Sequence, residues 1–210
     1  MTRSCRTRPF VLLAMIATVV AVAAAPATAK DAKTEISKKV VVAGAALEAS
    51  PDVGTSADPA IGRKAPTLTG QGFDGKKVTI GGPGKPRAVI FLSHSCPHCQ
   101  AEVPRIVKLA KQGKLDGIEV DTVTTNTSTD LPNYPPSKWL AREKWPFKTV
   151  LADDARLRGF FGYGGEAFPY FVLLDAQGKV AGRAAGEIES QAIADAAKNL
   201  AAGQPVFPSN

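Results

Sequence analysis

The chain has 210 residues, 44% of them hydrophobic and 21% charged, with 26 basic against 19 acidic residues and a formal net charge of +7. That length suffices for one domain with a real core plus a tail. The basic excess is mild and holds no lysine or arginine cluster of the kind that tracks a phosphate backbone, so a nucleic-acid role is excluded from the expectations.

Taken in chain order, the first 29 residues read as a targeting segment. Arg3, Arg6 and Arg8 form a basic start, Phe10 to Ala25 is apolar or small apart from Thr18, and Ala27-Thr28-Ala29 offers a cleavage site. The apolar run falls short of the roughly 20 residues that span a bilayer comfortably. A cleaved signal peptide is therefore expected over an uncleaved anchor. Cys5 precedes the run and would leave with it. Cleavage leaves 23 basic and 19 acidic residues, and export places the remaining cysteines where disulfides persist. Residues 30–60 are rich in Ala, Lys, Ser, Asp and Gly and end in the breaker-rich stretch Ser50 to Pro59, which predicts a flexible linker.

From Ile61 to Gly203 the pattern becomes that of a compact α/β domain, followed by a short tail over 204–210. Asp74-Gly75 between Leu68 and Val78-Thr79-Ile80 predicts a hairpin. Residues 87–93 read as a buried strand, and Gln100 to Gln112 as a helix with Val103, Ile106, Val107 and Ala110 on one face. A strand over Ile118 to Thr125 follows, then a helix over Pro136 to Trp145 and a strand at Thr149 to Leu151. Asp153 to Phe161 reads as a helix begun by acidic residues. Tyr170 to Leu174 and Lys179 to Arg183 form strand, turn, strand, and Glu189 to Ala202 a last helix stopped by Gly203. This alternation predicts a central mixed β-sheet with helices on both faces.

The chemistry concentrates in six residues, His94-Ser95-Cys96-Pro97-His98-Cys99, which hold both histidines and both cysteines outside the targeting segment. Two cysteines separated by two residues at a strand-to-helix junction can close and reopen a small disulfide, Cys96–Cys99. A nearby histidine and a helix N-terminus both favour the thiolate that performs exchange. A zinc half-site is disfavoured, because no second ligand pair exists elsewhere.

These residues resemble a known family. Ala65-Pro66 before a hairpin at Asp74-Gly75-Lys76, the Cys96-Pro97-His98-Cys99 motif, Glu102-Val103-Pro104 and Phe168-Pro169 before Tyr170 to Gly178 together resemble exported thioredoxin-fold proteins of the TlpA/ResA type. The resemblance implies a thioredoxin-like fold and a protein thiol–disulfide oxidoreductase, with Cys96 as exposed nucleophile and Cys99 as buried resolving thiol. It implies a cis peptide bond before Pro169, beside which a substrate peptide can pair, with Phe168 and Pro169 at the docking position. It also implies that Glu102 lines the site and shuttles the proton of the buried thiol. The strand aspartate of classical thioredoxins is replaced by Ile90, which leaves Glu102 as the nearby carboxylate.

The Pro97-His98 pair between the cysteines resembles instead the DsbA-type oxidases, whose thiolate is strongly stabilised. His98 is therefore expected to tune the direction of the chemistry, as reductase or oxidase, and to make the potential more oxidising than that of the usual TlpA/ResA-like members. Ser95 replaces the tryptophan usual before the first cysteine, and His94 is expected to be a partly exposed strand-end residue. No cofactor and no metal are required. Expected partners are exported proteins bearing thiols or disulfides and, for reductive service, a membrane electron donor. The chain is expected to act as a monomer. The alternatives are a thiol peroxidase, a copper-binding metallochaperone using Cys96, Cys99 and a histidine, and a redox-inert binding domain.

Overall fold

The computed structural model describes Met1 and residues 34–207; the expected signal peptide lies outside the described residues. Eight strands form one mixed sheet: β1 (Val41–Ala43), β2 (Thr67–Gln71), β3 (Lys77–Ile80), β4 (Arg87–Leu92), β5 (Glu119–Thr124), β6 (Val150–Ala152), β7 (Tyr170–Leu174) and β8 (Val180–Ala185). Their order is β1-β2-β6-β5-β4-β7-β8, with β3 paired to β2. β4, β5 and β6 run parallel, and β2 pairs antiparallel to β6 at one side as β7 does to β4 at the other. Four helices accompany the sheet: α1 (Pro97–Lys111), α2 (Pro136–Arg142), α3 (Arg158–Gly162) and α4 (Ser190–Ala201).

β4 is the central strand, and its composition shows why. Val89 and Phe91 face one apolar cluster, whereas Ala88, Ile90 and Leu92 face the other. A strand buried on both faces reads as a continuous hydrophobic run rather than an alternating one. On the second face lie α1 through Cys99, Val103, Ile106 and Val107, α2 through Trp139 and Leu140, and α4 through Ala194 and Ala197. The first face is covered by Phe160 of α3, by Tyr163 and by Val40, Leu47 and Ala60. Helices therefore lie on both faces, as the alternation of elements predicts.

Residues 34–60, read from composition as a flexible linker, are instead part of the fold. Val41 to Ala43 pairs with Thr67 to Thr69, Leu47 N–H donates to Gly162 O at 3.0 Å, and Val40 and Leu47 are buried. Asp58 and Arg183, both with fully buried side chains, form a two-point ion pair at 2.6 and 2.8 Å. Composition misleads here because a few apolar residues and one buried acid, spaced among polar ones, are enough to dock an irregular segment. The acidic pair Asp153-Asp154 also differs from expectation. The helix begins only at Arg158, and Asp153 reaches forward to accept the N–H groups of Gly159 and Phe160 at 2.9 and 3.0 Å. Its carboxylate satisfies donors that a helix start leaves free. α2 is likewise shorter than predicted, ending at Arg142 before Lys144 takes φ 59°. Among the described residues no helix is long and apolar enough to cross a membrane.

Candidate functional site

The site forms where β4 ends and α1 begins. Cys96 is the N-cap of α1 in an extended conformation (φ −76°, ψ 121°) and makes no side-chain capping bond; Pro97 occupies the first turn. Proline fits there because its missing N–H would be unpaired anyway. The cap position puts the Cys96 sulfur at the positive end of a 15-residue helix whose last turn carries Lys108 and Lys111. Cys99 lies one turn in and is fully buried, while Cys96 is half-buried. Both thiols are free, the reduced form of the expected Cys96–Cys99 pair.

The two sulfurs meet different surroundings. Cys96 Sγ lies 3.7 Å from the carbonyl oxygen of Phe168, and the following Phe168–Pro169 peptide bond is cis. Pro169 is buried, and its own carbonyl accepts from Gly186 N–H at 2.8 Å. The Phe168 ring stacks on Phe160 at 4.4 Å. Cys99 Sγ instead accepts from Ser93 N–H at 3.4 Å. Burial pushes the Cys99 thiol far above the ordinary thiol range; the Ser93 bond opposes this, and Cys96 and Glu102 reinforce it. One sulfur is reachable and the other needs a proton acceptor before it can react.

Glu102 is close enough to Cys99 to act on its thiol electrostatically. Three residues after Cys99, it is on the same side of α1 and fully buried. Its Oε2 accepts from Ile188 N–H at 3.3 Å and from Arg105 Nη1 at 3.4 Å, whereas Oε1 has no partner. Burial raises its pKa above the ordinary carboxylate range, opposed by the Ile188 bond and Arg105 and aided by Glu187. A buried carboxyl with a free oxygen and a raised pKa holds a proton more readily than an exposed one.

His94 departs from expectation. His94 is buried, not partly exposed: its Nδ1 donates to Pro132 O at 2.7 Å and its Nε2 accepts from Ser128 N–H at 3.2 Å. A ring that donates at one nitrogen and accepts at the other is a neutral ring. It pins the β5–α2 loop beside the cysteines, helped by Asn133 Nδ2 donating to His94 O. His98 is exposed, and its Nδ1 lies 2.8 Å from Glu187 Oε1. The hydrogen-bond partner of Cys96 Sγ is Phe168 O.

A model of the Redoxin family matches residues 60–200. The chain belongs to the Redoxin family. Methylamine utilization protein MauD of Methylobacillus flagellatus is 29% identical over 125 residues, which are 58% of this chain and 56% of MauD. The chain thus spans about half the length of that relative. Among solved structures, a thiol:disulfide interchange protein of the thioredoxin family from Chlorobium tepidum TLS is 26% identical, with a TM-score of 0.53 over 66% of this chain and 95% of that one. StoA from Bacillus subtilis, 18% identical with a TM-score of 0.51, covers 65% of this chain and 97% of its own and shares the fold. The expected thioredoxin-like fold is therefore the fold of this chain.

The fold gathers Cys96, Cys99, Glu102, Phe168 and Pro169 at one place, as the motifs imply, and leaves His98 at its rim. Sequence reasoning missed Arg105, Glu187 and the loop held by His94. Arg105 was within reach, since it lies three residues after Glu102, a spacing that pairs charges on a helix. Glu187 had no such signal, being 89 residues from its histidine partner. For the metallochaperone alternative, no group of three or more His, Cys, Asp or Glu side chains among the described residues could hold a metal ion.

Proposed function

We propose that this chain is an extracytoplasmic protein thiol–disulfide oxidoreductase of the TlpA/ResA-like kind, working as a reductase of exported disulfides. The observation that carries the reading is the asymmetry of the cysteine pair: a reachable Cys96 at the helix cap and a buried Cys99 one turn on, with Glu102 beside it. The Cys96 thiolate attacks one sulfur of the partner's disulfide, forming a mixed disulfide and releasing the other sulfur as a thiolate. Cys99 then gives its proton to Glu102 and attacks Cys96 Sγ, closing Cys96–Cys99 and releasing the partner's second thiolate. Two electrons pass from the dithiol to the partner. The extended backbone of the partner docks at Phe168 and Pro169. No cofactor takes part, and reductive turnover draws on a membrane electron donor.

The reductase direction is favoured over the oxidase one by the place of His98. With its ring engaged by Glu187, it is not committed to stabilising the Cys96 thiolate, the feature that would make the disulfide strongly oxidising. Equilibration of the purified protein with a glutathione series tests this. A potential near thioredoxin's, about −270 mV, is expected; one near about −120 mV would make the chain a disulfide donor instead. Cys96→Ser is expected to abolish exchange with a disulfide partner, whereas Cys99→Ser should trap the mixed disulfide. Exchange that persists without Cys96 would overturn the reading.

A further inference from the structure

Glu187 belongs to neither the cysteine motif nor any other motif singled out in the sequence, yet it stands between the two titratable groups that flank the cysteines. Its Oε1 lies 2.8 Å from His98 Nδ1 and its Oε2 lies 2.9 Å from Arg105 Nη1. The same Arg105 nitrogen is 3.4 Å from Glu102 Oε2. A single chain of polar contacts therefore runs His98–Glu187–Arg105–Glu102 from the exposed rim to the buried carboxyl. The next residue, Ile188, gives its N–H to Glu102. One loop between β8 and α4 thus touches both ends of the chain.

We propose that Glu187 is a positioning residue of the thiol–disulfide site: it engages the His98 ring and draws Arg105 away from Glu102, so that the buried carboxyl stays available as proton acceptor for Cys99. The inference rests on the redox reading of Cys96 and Cys99. The distances carry it. Arg105 Nη1 is half an ångström nearer to Glu187 than to Glu102, so its charge is shared between the two carboxyls and is not given to Glu102 alone. Were Arg105 given wholly to Glu102, the carboxyl would be held as an anion and would accept the Cys99 proton less readily. The titratable and charged groups that act on Glu102 are Cys99 and Arg105 on its own helix and Glu187 on the loop before α4, with His98 acting through Glu187. The Glu187 anion disfavours a second anion at Glu102, which works in the same direction as the loss of Arg105.

The test is a carboxyl-carbon NMR titration of Glu102 in the dithiol protein, made on wild type and three variants. Glu187→Gln is expected to move the Glu102 midpoint to lower pH, and Arg105→Gln to higher pH. Glu187→Asp, which keeps the charge, should stay closer to wild type than Glu187→Gln does. The pH at which the mixed disulfide resolves at half its maximal rate should move in the same two opposite directions. An unchanged midpoint in Glu187→Gln, or shifts of the same sign in Glu187→Gln and Arg105→Gln, would overturn the proposal, since simple loosening of the loop would move both alike. Failure of the wild-type protein to exchange with glutathione would instead remove the redox reading, and the titration would still report on Glu187.

Discussion

Glu102 illustrates what one buried carboxyl costs a fold and how a role at the site can be tested. It is fully buried, one of its oxygens has no partner, and its pKa is raised by burial. A carboxyl whose folded pKa lies above its unfolded value binds more protons in the folded state between the two values. Its stability contribution is present below the unfolded pKa and falls as pH rises toward the folded pKa. Glu102→Gln should therefore raise the urea midpoint of the dithiol protein at pH 8 and leave it nearly unchanged at pH 4. The same variant should slow resolution of the mixed disulfide by about 100-fold or more at neutral pH, because a positioned general base contributes on that order. A variant that gains stability at pH 8 without losing rate would show that Glu102 is only a buried acid.

At the scale of elements, the junction from β4 to α1 depends on a loop from another crossover. β4 and β5 run parallel, so the segments leaving their C-terminal ends emerge side by side, the common place for sites in such sheets. His94 joins them, fastened to Ser128 and Pro132, with Tyr134 set against its ring at 6.1 Å. His94→Ala removes two part-buried hydrogen bonds and leaves the Ser128 N–H and Pro132 carbonyl without their partners. A loss of about 2 kcal/mol or more is expected in chemical denaturation. Faster amide exchange should follow at 126–133, whereas β7 and β8, on the far side of β4, should keep their protection. Uniform loss of protection would mean that His94 supports the core and not that loop.

For the whole molecule, the decisive contact is the one between the N-terminal segment and the far end of the sheet. Arg183 lies on β8 and Asp58 in the segment before β2, 125 residues apart, and both side chains are fully buried. Burial alone would raise the Asp58 pKa, but its bonds to Arg183 and to Ala60 N–H hold it below the ordinary carboxylate value. The pair's contribution is thus present above that range and lost as pH falls through the lowered value. Asp58→Ala leaves the Arg183 charge buried without its counterion, and a cost of roughly 3–5 kcal/mol is expected at pH 7. A chain starting at Ile61 should lose cooperative unfolding altogether, since β1 and the cover over Phe91 and Tyr163 go with it. Full stability of such a chain would restore residues 34–60 to the status of a linker.

Much of this was legible in the residues themselves. The hairpin at Asp74-Gly75, the buried run over Arg87 to Leu92, the helix after the cysteines and the strand–turn–strand after Pro169 all follow from local signals of periodicity, turn chemistry and breaker placement. The cysteine pair was legible in its spacing, and the family resemblance pointed to Glu102 and Pro169, which the fold brings to the same place. Local pattern did not reach interactions between distant segments. Burial of His94, docking of residues 34–60 through Asp58, and the engagement of His98 by Glu187 each join groups 34 to 125 residues apart. Sequence by itself determined which residues can do redox chemistry, since that depends on side-chain type and helical spacing. Only the tertiary structure decided what surrounds them, because desolvation and charge pairing depend on what packs against a group and not on what precedes it in the chain.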